Sequence, residues 1–284
     1  MNHHFRISLV ILLVPYLSTA KENHFVKVVE VSFQEGWSLD HHVKYNRVSK
    51  LTISDEKARL DPYAEGSSIQ LYRMIDLTKS LIIGIVQPDI KVYFPTPMLK
   101  KYSFFRFPEG PACPEKTIAV KSVDLEVNPH GKGHDFAGYT TKKYEVSAKI
   151  ILSDGHDQQF KINGSIHIVE AEKLERFAQD TIRTFSKSYG NSLSTLPFFE
   201  WSEFPSLLKL ECVSAPEDYE KVSNIFAAKL KSLPGIIFGR DMTYQGVNFS
   251  KGMMKISVNR IEETAVPNTY LEVPTDYKDG SVKN

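Results

Sequence analysis

Apolar and polar residues alternate along two neighbouring stretches in the middle of the chain. In residues 144–150 and 160–168 every second position is apolar, apart from one glycine, and the positions between them are polar or charged. A period of two is typical of a half-buried strand. Asp154-Gly155 between the two stretches is a turn signal. One apolar and one polar face predict an antiparallel sheet, because a parallel sheet buried on both faces has unbroken apolar runs.

Weaker alternation predicts further strands on both sides of this pair. The short connection at residues 78–80 indicates a hairpin. Several prolines between residues 95 and 114 indicate a long irregular connection. Pro267 and Pro274 cannot donate to a ladder, so the tail is predicted to lie at a sheet edge. The further predicted strands are residues 25–33, 43–53, 58–61, 69–77, 81–87, 91–94, 236–244 and 253–261.

Two stretches change to a helical period. Apolar residues recur at helical spacing in residues 170–188, and Gly190 follows as a stop signal. A second helix is predicted to begin at Pro216 and to end at Pro234. The order of elements predicts a mainly β domain with a helical insertion at about residues 170–233.

The strands and helices together supply a large apolar surface, to which Phe198, Phe199, Trp201 and Phe204 add. One interpretation is that all of it forms a packed core. The other is that the sheet bends at Gly138 and Gly164 around a cavity, with the helices as a lid. The residues predicted to line such a cavity are Tyr144, Val146, Ile150, Phe160, Ile162, Ile166, Ile168, Phe177, Phe185 and Phe226.

The N-terminus has the layout of a cleavable secretory signal. Arg6 supplies a basic start, residues 7–17 form an apolar run that is short for a bilayer, and Ser18 and Ala20 are small. The alternative is a buried N-terminal helix. Cleavage after Ala20 predicts a mature chain that begins at Lys21 and works in the periplasm or outside the cell.

The charge balance limits the classes of partner. The chain has 35 Lys and Arg against 34 Asp and Glu, and loss of the signal with Arg6 makes the two numbers equal. A balanced chain has no long-range field to gather nucleic acid, so no nucleic-acid partner is expected. No later run approaches the length of a membrane span, so no transmembrane segment is expected in the mature chain.

The chain has two cysteines, Cys113 and Cys212. In an oxidising compartment they either pair as a disulfide or remain separate thiols, and sequence leaves both alternatives open. Closing so long a loop would stabilise the fold by about 4–5 kcal/mol in the entropic model. Neither cysteine belongs to a CxxC motif, which argues against a redox or zinc role.

No group of residues in the sequence indicates catalysis. There is no GxSxG elbow and no glycine-rich loop between a strand and a helix. His130 and His134 have the i, i+4 spacing of helical metal ligands, but Gly131 and Gly133 favour a solvated loop. His167 falls on the polar face of its strand and is predicted at the surface. We therefore expect neither an enzyme nor a cofactor or metal site.

Two segments resemble an uncharacterised family of bacterial envelope proteins. The first is similar to that family's "GY…kY.v" strand, and the second to its closing "vP…FevP.gY" motif. The segments are Phe136-Ala137-Gly138-Tyr139-Thr140-Thr141-Lys142-Lys143-Tyr144-Glu145-Val146 and Val266-Pro267-Asn268-Thr269-Tyr270-Leu271-Glu272-Val273-Pro274-Thr275-Asp276-Tyr277. The chain departs from the second motif, with Asp276 in place of the usual glycine and Tyr270 and Leu271 around the family's Phe. It is also longer than a lipoprotein carrier.

The family is grouped with the LolA-like fold of lipoprotein-localisation factors, an unclosed antiparallel β half-barrel capped by helices. The resemblance implies a mainly β (α+β) fold for residues 21–284: a single domain with a curved half-barrel and two or three capping helices. By analogy of fold, it implies a periplasmic, non-enzymatic binding or carrier protein for an acyl chain, a lipid or a lipoprotein segment. The alternatives are an envelope structural or regulatory protein whose curved sheet binds another protein, and a hydrolase with an unrecognised site.

Overall fold

A computed structural model describes residues 24–40, 43–63, 72–86, 90–97, 118–153, 157–189, 208, 211–213, 215–248 and 251–280. Several predictions concern other parts of the chain. The signal at residues 1–20, the proline-rich connection with Cys113 and the turn at Asp154-Gly155 lie outside the described residues, as do Phe198, Phe199, Trp201 and Phe204.

The described residues are mostly β, with twelve strands and two α-helices. The strands are β1 (Phe25–Leu39), β2 (Val43–Ile53), β3 (Lys57–Tyr63), β4 (Tyr72–Asp76), β5 (Leu81–Val86), β6 (Val92–Pro97), β7 (Ala119–Phe136), β8 (Tyr139–Ser153), β9 (Asp157–Val169), β10 (Ile236–Gln245), β11 (Gly252–Pro267) and β12 (Lys278–Asp279). The helices are α1 (Arg176–Tyr189) and α2 (Pro216–Lys231), with short 3-10 helices at Ala171–Lys173 and Asn268–Leu271.

All twelve strands belong to one sheet, in the order β12-β6-β5-β4-β3-β2-β1-β11-β10-β9-β8-β7. The strand pairs are antiparallel except for β6 and β12, which pair in parallel. The sheet is open, with β12 at one edge and β7 at the other. The predicted antiparallel arrangement of the main strands is therefore confirmed.

Each predicted strand corresponds to an observed one, but several are longer than predicted, β1 and β11 among them. Their ladder runs from the pair Phe25–Pro267 to the pair Leu39–Gly252. Hydrogen bonds to a neighbour extend these strands beyond the stretch in which apolar residues alternate. The helix predicted at residues 170–188 is divided, because Leu174 has an extended backbone between the 3-10 helix and α1.

The strand β7 was not predicted from the sequence. Most of its side chains are exposed, because it pairs only with β8 and lies at the edge of the sheet. It therefore lacks the alternation that a half-buried strand shows. His130 and His134 belong to this strand, so the prediction of a solvated loop around them was wrong.

The prediction that Gly138 bends a strand was also wrong. Ala137 and Gly138 have φ angles of 51° and 82° and form the tight turn between β7 and β8. A two-residue hairpin turn with positive φ at both positions matches the natural twist of the strands. Gly164 has a different role. A Cβ on Gly164 would lie 2.1 Å from the backbone oxygen of Asp241, so glycine permits the close approach of β9 and β10.

The two helices contact different parts of the sheet, α1 lying against β1, β2 and β11 and α2 against β7. Pro216 stands at the start of α2, where its missing N–H costs nothing. Glu217 and Asp218 lie in the first turn, where their negative charges interact favourably with the positive end of the helix dipole. The apolar residues of both helices belong to the same hydrophobic cluster as those of the strands. Among the described residues, no helix combines the length and apolar character that a membrane crossing requires.

The C-terminal tail packs on a small hydrophobic cluster of β4 and β5 that is separate from the main core, and it ends as the edge strand β12. This position confirms the prediction of a tail at a sheet edge. The guanidinium of Arg59 lies between the rings of Tyr72, at 3.8 Å, and Tyr270, at 4.1 Å. Arg59 Nη1 donates to the Tyr270 carbonyl at 2.9 Å, and Tyr270 Oη donates to Asp61 at 2.6 Å. These contacts hold the tail on the sheet.

Candidate functional site

Five neighbouring strands place apolar side chains on one side of the sheet. One row across β8, β9, β10, β11 and β1 consists of Val146, Gly164, Met242, Met254 and Trp37. Directly opposite residues of antiparallel strands point to the same side, and the four side chains of this row are buried. We call this side of the sheet, from β8 to β1, the apolar face.

The residues predicted to line a cavity belong to the apolar face or to the helices. Eight of the ten are at most 2 % exposed and are part of one core: Val146, Ile150, Phe160, Ile162, Ile166, Ile168, Phe185 and Phe226. Tyr144 and Phe177 are partly buried and pack against the same core. Sequence periodicity thus identified residues that the fold brings together. Their role as ligand contacts remains a prediction.

Aromatic rings from β1, β9 and β10 lie close together on the apolar face. Tyr244 lies 6.0 Å from Trp37 and 6.4 Å from Phe160, measured between ring centroids. These distances are those of interacting aromatic pairs. Trp37 and Tyr244 were not among the predicted residues. The predicted first strand ended at Phe33, before Trp37, and Tyr244 was the last residue of its predicted strand.

A guanidinium group also lies on the apolar face. Arg240 is 3 % exposed, and its partners in the neighbouring strands are Ile166 and Ile256. The next residue in the same row is Glu35, which accepts hydrogen bonds from Arg47 at 2.8 and 3.0 Å. Arg240, Met242 and Tyr244 are alternate residues of β10 and share one side of the strand. The sequence pattern therefore indicates that this arginine lies on the apolar face.

The helical cover is attached differently at its two ends. Lys221 of α2 donates to the Val120 carbonyl at 2.9 Å, and Asp218 accepts from the Val120 N–H at 3.0 Å. These bonds fix α2 to the start of β7. On α1, Phe177 packs at the margin of the core, with the Lys27 ammonium 4.5 Å from its ring centroid.

An open cleft of about 340 Å³ lies beside the apolar face, where β7 and β8 approach the first 3-10 helix. Four of the nine residues that line it are lysines: Lys132, Lys142, Lys143 and Lys173. Tyr144 and Gly131 also belong to the lining. We call it the lysine cleft. Sequence reasoning missed it, because its lysines come from three elements, one of them the unpredicted strand β7.

His167 lies on the polar side of β9, as predicted, but it is buried rather than at the surface. The end of β7 covers it, with the Phe136 ring 5.2 Å from the imidazole. A Cβ on Gly133 would lie 2.6 Å from His167 Nδ1, so only glycine fits above the ring. Nε2 lies 3.4 Å from Ser165 Oγ, and Nδ1 lies 3.5 Å from Thr141 Oγ1.

Burial lowers the pKa of His167 from 6.5 to about 4, and electrostatic interactions with His134 and Lys143 add to the effect. The imidazole is therefore neutral at neutral pH. His134 stacks on it, with ring centroids 5.4 Å apart. Within the described part of the chain, no three metal-ligating side chains come together.

Cys212 is disulfide-bonded. The sequence has one other cysteine, Cys113, which lies outside the described residues. Next to Cys212, the buried carboxylate of Glu211 accepts hydrogen bonds from the N–H groups of Val247, at 2.9 Å, and Asn248, at 3.1 Å. Burial raises the pKa of Glu211, and these two bonds oppose the rise. The carboxylate holds the β10–β11 connection, which is a structural role.

A scan of the chain against protein-family models finds no match, and a search of the curated proteins finds none either. The proposals below therefore rest on the geometry of the apolar face, its helical cover and the lysine cleft.

Proposed function

We propose that this protein is a non-enzymatic binding or carrier protein, exported to the periplasm or beyond, that holds an apolar ligand between its sheet and its helices. The ligand is an acyl chain, a lipid or a lipoprotein segment. The observation that carries the proposal is the nature of the cover. In the described part of the chain all strands belong to one sheet, and the cover of the apolar face consists of α1 and α2, whose apolar stripes join the same hydrophobic cluster.

Helices suit this role because each can shift as a unit without breaking a ladder of hydrogen bonds between strands. Each presents an apolar stripe of its own: Ile182 and Phe185 on α1, and Val222 and Phe226 on α2, are buried. A ligand that enters between sheet and helices exchanges one apolar contact for another, which keeps the cost of opening low.

We propose further that the open sheet is curved into a half-barrel like that of the lipoprotein-localisation factors. In a flat sheet β4 and β8 would lie seven spacings apart, about 34 Å. Two helices side by side cover about 20–24 Å. Nevertheless, buried residues of β1–β4, of β7–β11 and of both helices belong to one hydrophobic cluster. A curved sheet accounts for this.

The test is binding of a fluorescent long-chain fatty acid to protein freed of lipid. We expect saturable binding with the probe in an apolar environment. Phe177→Asn places an amide at the margin of the cover and should weaken binding several-fold while the protein remains folded. Phe25→Asn is the matched control at a residue that is 65 % exposed and should bind like the wild type. Absence of saturable binding would refute the proposal.

One observation favours the protein-binding alternative. Eight of the ten predicted contact residues are already buried against other parts of the chain. If the folded protein binds no apolar probe, and every polar substitution on the apolar face only unfolds it, this face is core. An envelope protein that recognises another protein then becomes the better interpretation.

A further inference from the structure

The lysine cleft brings like charges together. Lys132 on β7 and Lys142 on β8 are direct partners in the register, and Lys173 of the 3-10 helix lies at the same cleft. Like charges directly opposite one another on paired strands destabilise a sheet. A bound anion would relieve this repulsion.

The carboxylates near the cleft neutralise it only in part. Glu170 pairs with Lys142 and with Lys173, the latter at 3.1 Å, and Glu145 lies 3.7 Å from Lys143. Among the described residues, no carboxylate lies within ion-pair distance of Lys132. Lys143 and Glu145 lie on the opposite side of β8, so on the cleft side three ammonium groups, those of Lys132, Lys142 and Lys173, face the carboxylate of Glu170. The hydrogen bond that Lys142 donates to Glu170 raises the pKa of Lys142, so that ammonium group stays charged.

The cleft is continuous with the apolar face through Tyr144. This side chain lines the cleft and also packs against the core. Its partner on β9 is Ile166, and the next residue in the row is Arg240. Because Ile166 and Arg240 are buried, a molecule with one end in the cleft reaches the apolar face when the helical cover shifts away from Tyr144.

We infer that the lysine cleft binds the phosphate-bearing headgroup of an anionic amphiphile whose acyl chain contacts the apolar face. This inference rests on the proposed function and specifies its ligand. Lysines from β7, β8 and the 3-10 helix approach from several directions, which suits a tetrahedral oxyanion better than a planar carboxylate. The volume of about 340 Å³ equals that of about ten waters, enough for a phosphate with part of its hydration.

The experiment compares three probes by titration calorimetry at low salt: a lysophosphatidate, a monoacylglycerol with the same acyl chain, and inorganic phosphate. Both lipids are used below their critical micelle concentrations. We expect the lysophosphatidate to bind at least tenfold more tightly than the monoacylglycerol, and phosphate alone to bind much more weakly than either.

The double variant Lys132→Gln/Lys173→Gln should reduce the preference for the lysophosphatidate to less than threefold and leave monoacylglycerol binding unchanged. Lys149→Gln/Lys161→Gln is the matched control. Its two residues are likewise exposed lysines, on β8 and β9, and they lie outside the cleft. This control should keep the wild-type preference for the lysophosphatidate.

Each other result overturns the inference in a recognisable way. Equal binding of the two lipids, or equal loss in the control variant, refutes a headgroup site and leaves the proposed function intact. Phosphate that binds as tightly as the lysophosphatidate identifies a free-phosphate site without an acyl chain. Failure of both lipids to bind refutes the inference together with the proposed function.

Discussion

Acidification should loosen the end of the β7–β8 hairpin, because protonation of His167 is incompatible with its surroundings. The ring is 5 % exposed beneath Phe136. The charged and titratable groups around it are His134, Lys143, Asp241 and Lys255, and only the aspartate favours the protonated form. A proton on the imidazole would therefore add a buried positive charge to a mainly positive environment.

The magnitude follows from linkage. The pKa of His167 falls from 6.5 to about 4 on folding, so the unfolded state takes up the proton first as the pH drops. The stability contributed by the neutral ring is complete above pH 6.5 and is lost between pH 6.5 and pH 4. At pH 5 the full shift corresponds to about 2 kcal/mol. Since the site lies near the rim of the sheet, where solvent screens charge, we expect about 1 kcal/mol.

The assay is urea unfolding of wild type and of His167→Gln at pH 7 and pH 5. The wild type should lose about 1 kcal/mol more than the variant on acidification. His130→Gln, at a histidine whose side chain is 55 % exposed, is the control and should lose as much as the wild type. An equal loss in His167→Gln and wild type would show that the buried imidazole does not govern this acid sensitivity.

Three further predictions concern the fold and the N-terminus. Gly164→Ala should destabilise the protein by about 3 kcal/mol in urea unfolding, because its Cβ would meet the β10 backbone; a loss below 1 kcal/mol contradicts the close approach of the strands. Arg59→Met should cost about 2 kcal/mol and speed digestion of the tail by carboxypeptidase, because it removes the stacking on Tyr270 and the bond to its carbonyl; unchanged digestion argues against this anchor. N-terminal sequencing of the exported protein should begin at Lys21, and a start upstream of the apolar run refutes cleavage after Ala20.

The sheet was largely predictable because most of its strands have one apolar and one polar side. The alternation of apolar and polar residues in β8 and β9 results directly from that arrangement. The exposed edge strand β7 lacks this alternation, so the sequence did not predict it. It forms because it pairs with β8, which is a tertiary interaction. The prediction of a bend at Gly138 was wrong for a related reason. Without β7, the sequence does not indicate that Gly138 lies in a turn between two strands.

The candidate site was predictable only in its apolar part. Periodicity identifies residues such as Ile166 as buried, but it does not distinguish a core from a binding surface. Arg240 was overlooked although its position in the alternation of β10 places it on the apolar face. The lysine cleft depends on residues far apart in sequence, Lys132 and Lys173 among them, so no local pattern indicates it. The burial of His167 likewise depends on the end of β7 folding over it.

Native mass spectrometry of the protein, purified without denaturation from envelope extracts, shows directly whether the sheet and its helices hold a ligand. We expect a population that carries the mass of one amphiphile, that loses it on delipidation, and that regains it with a phosphate-bearing lipid. A spectrum with only the mass of the polypeptide, together with no uptake of lipid by the delipidated protein, would contradict the claim that the apolar face and its helices hold a ligand.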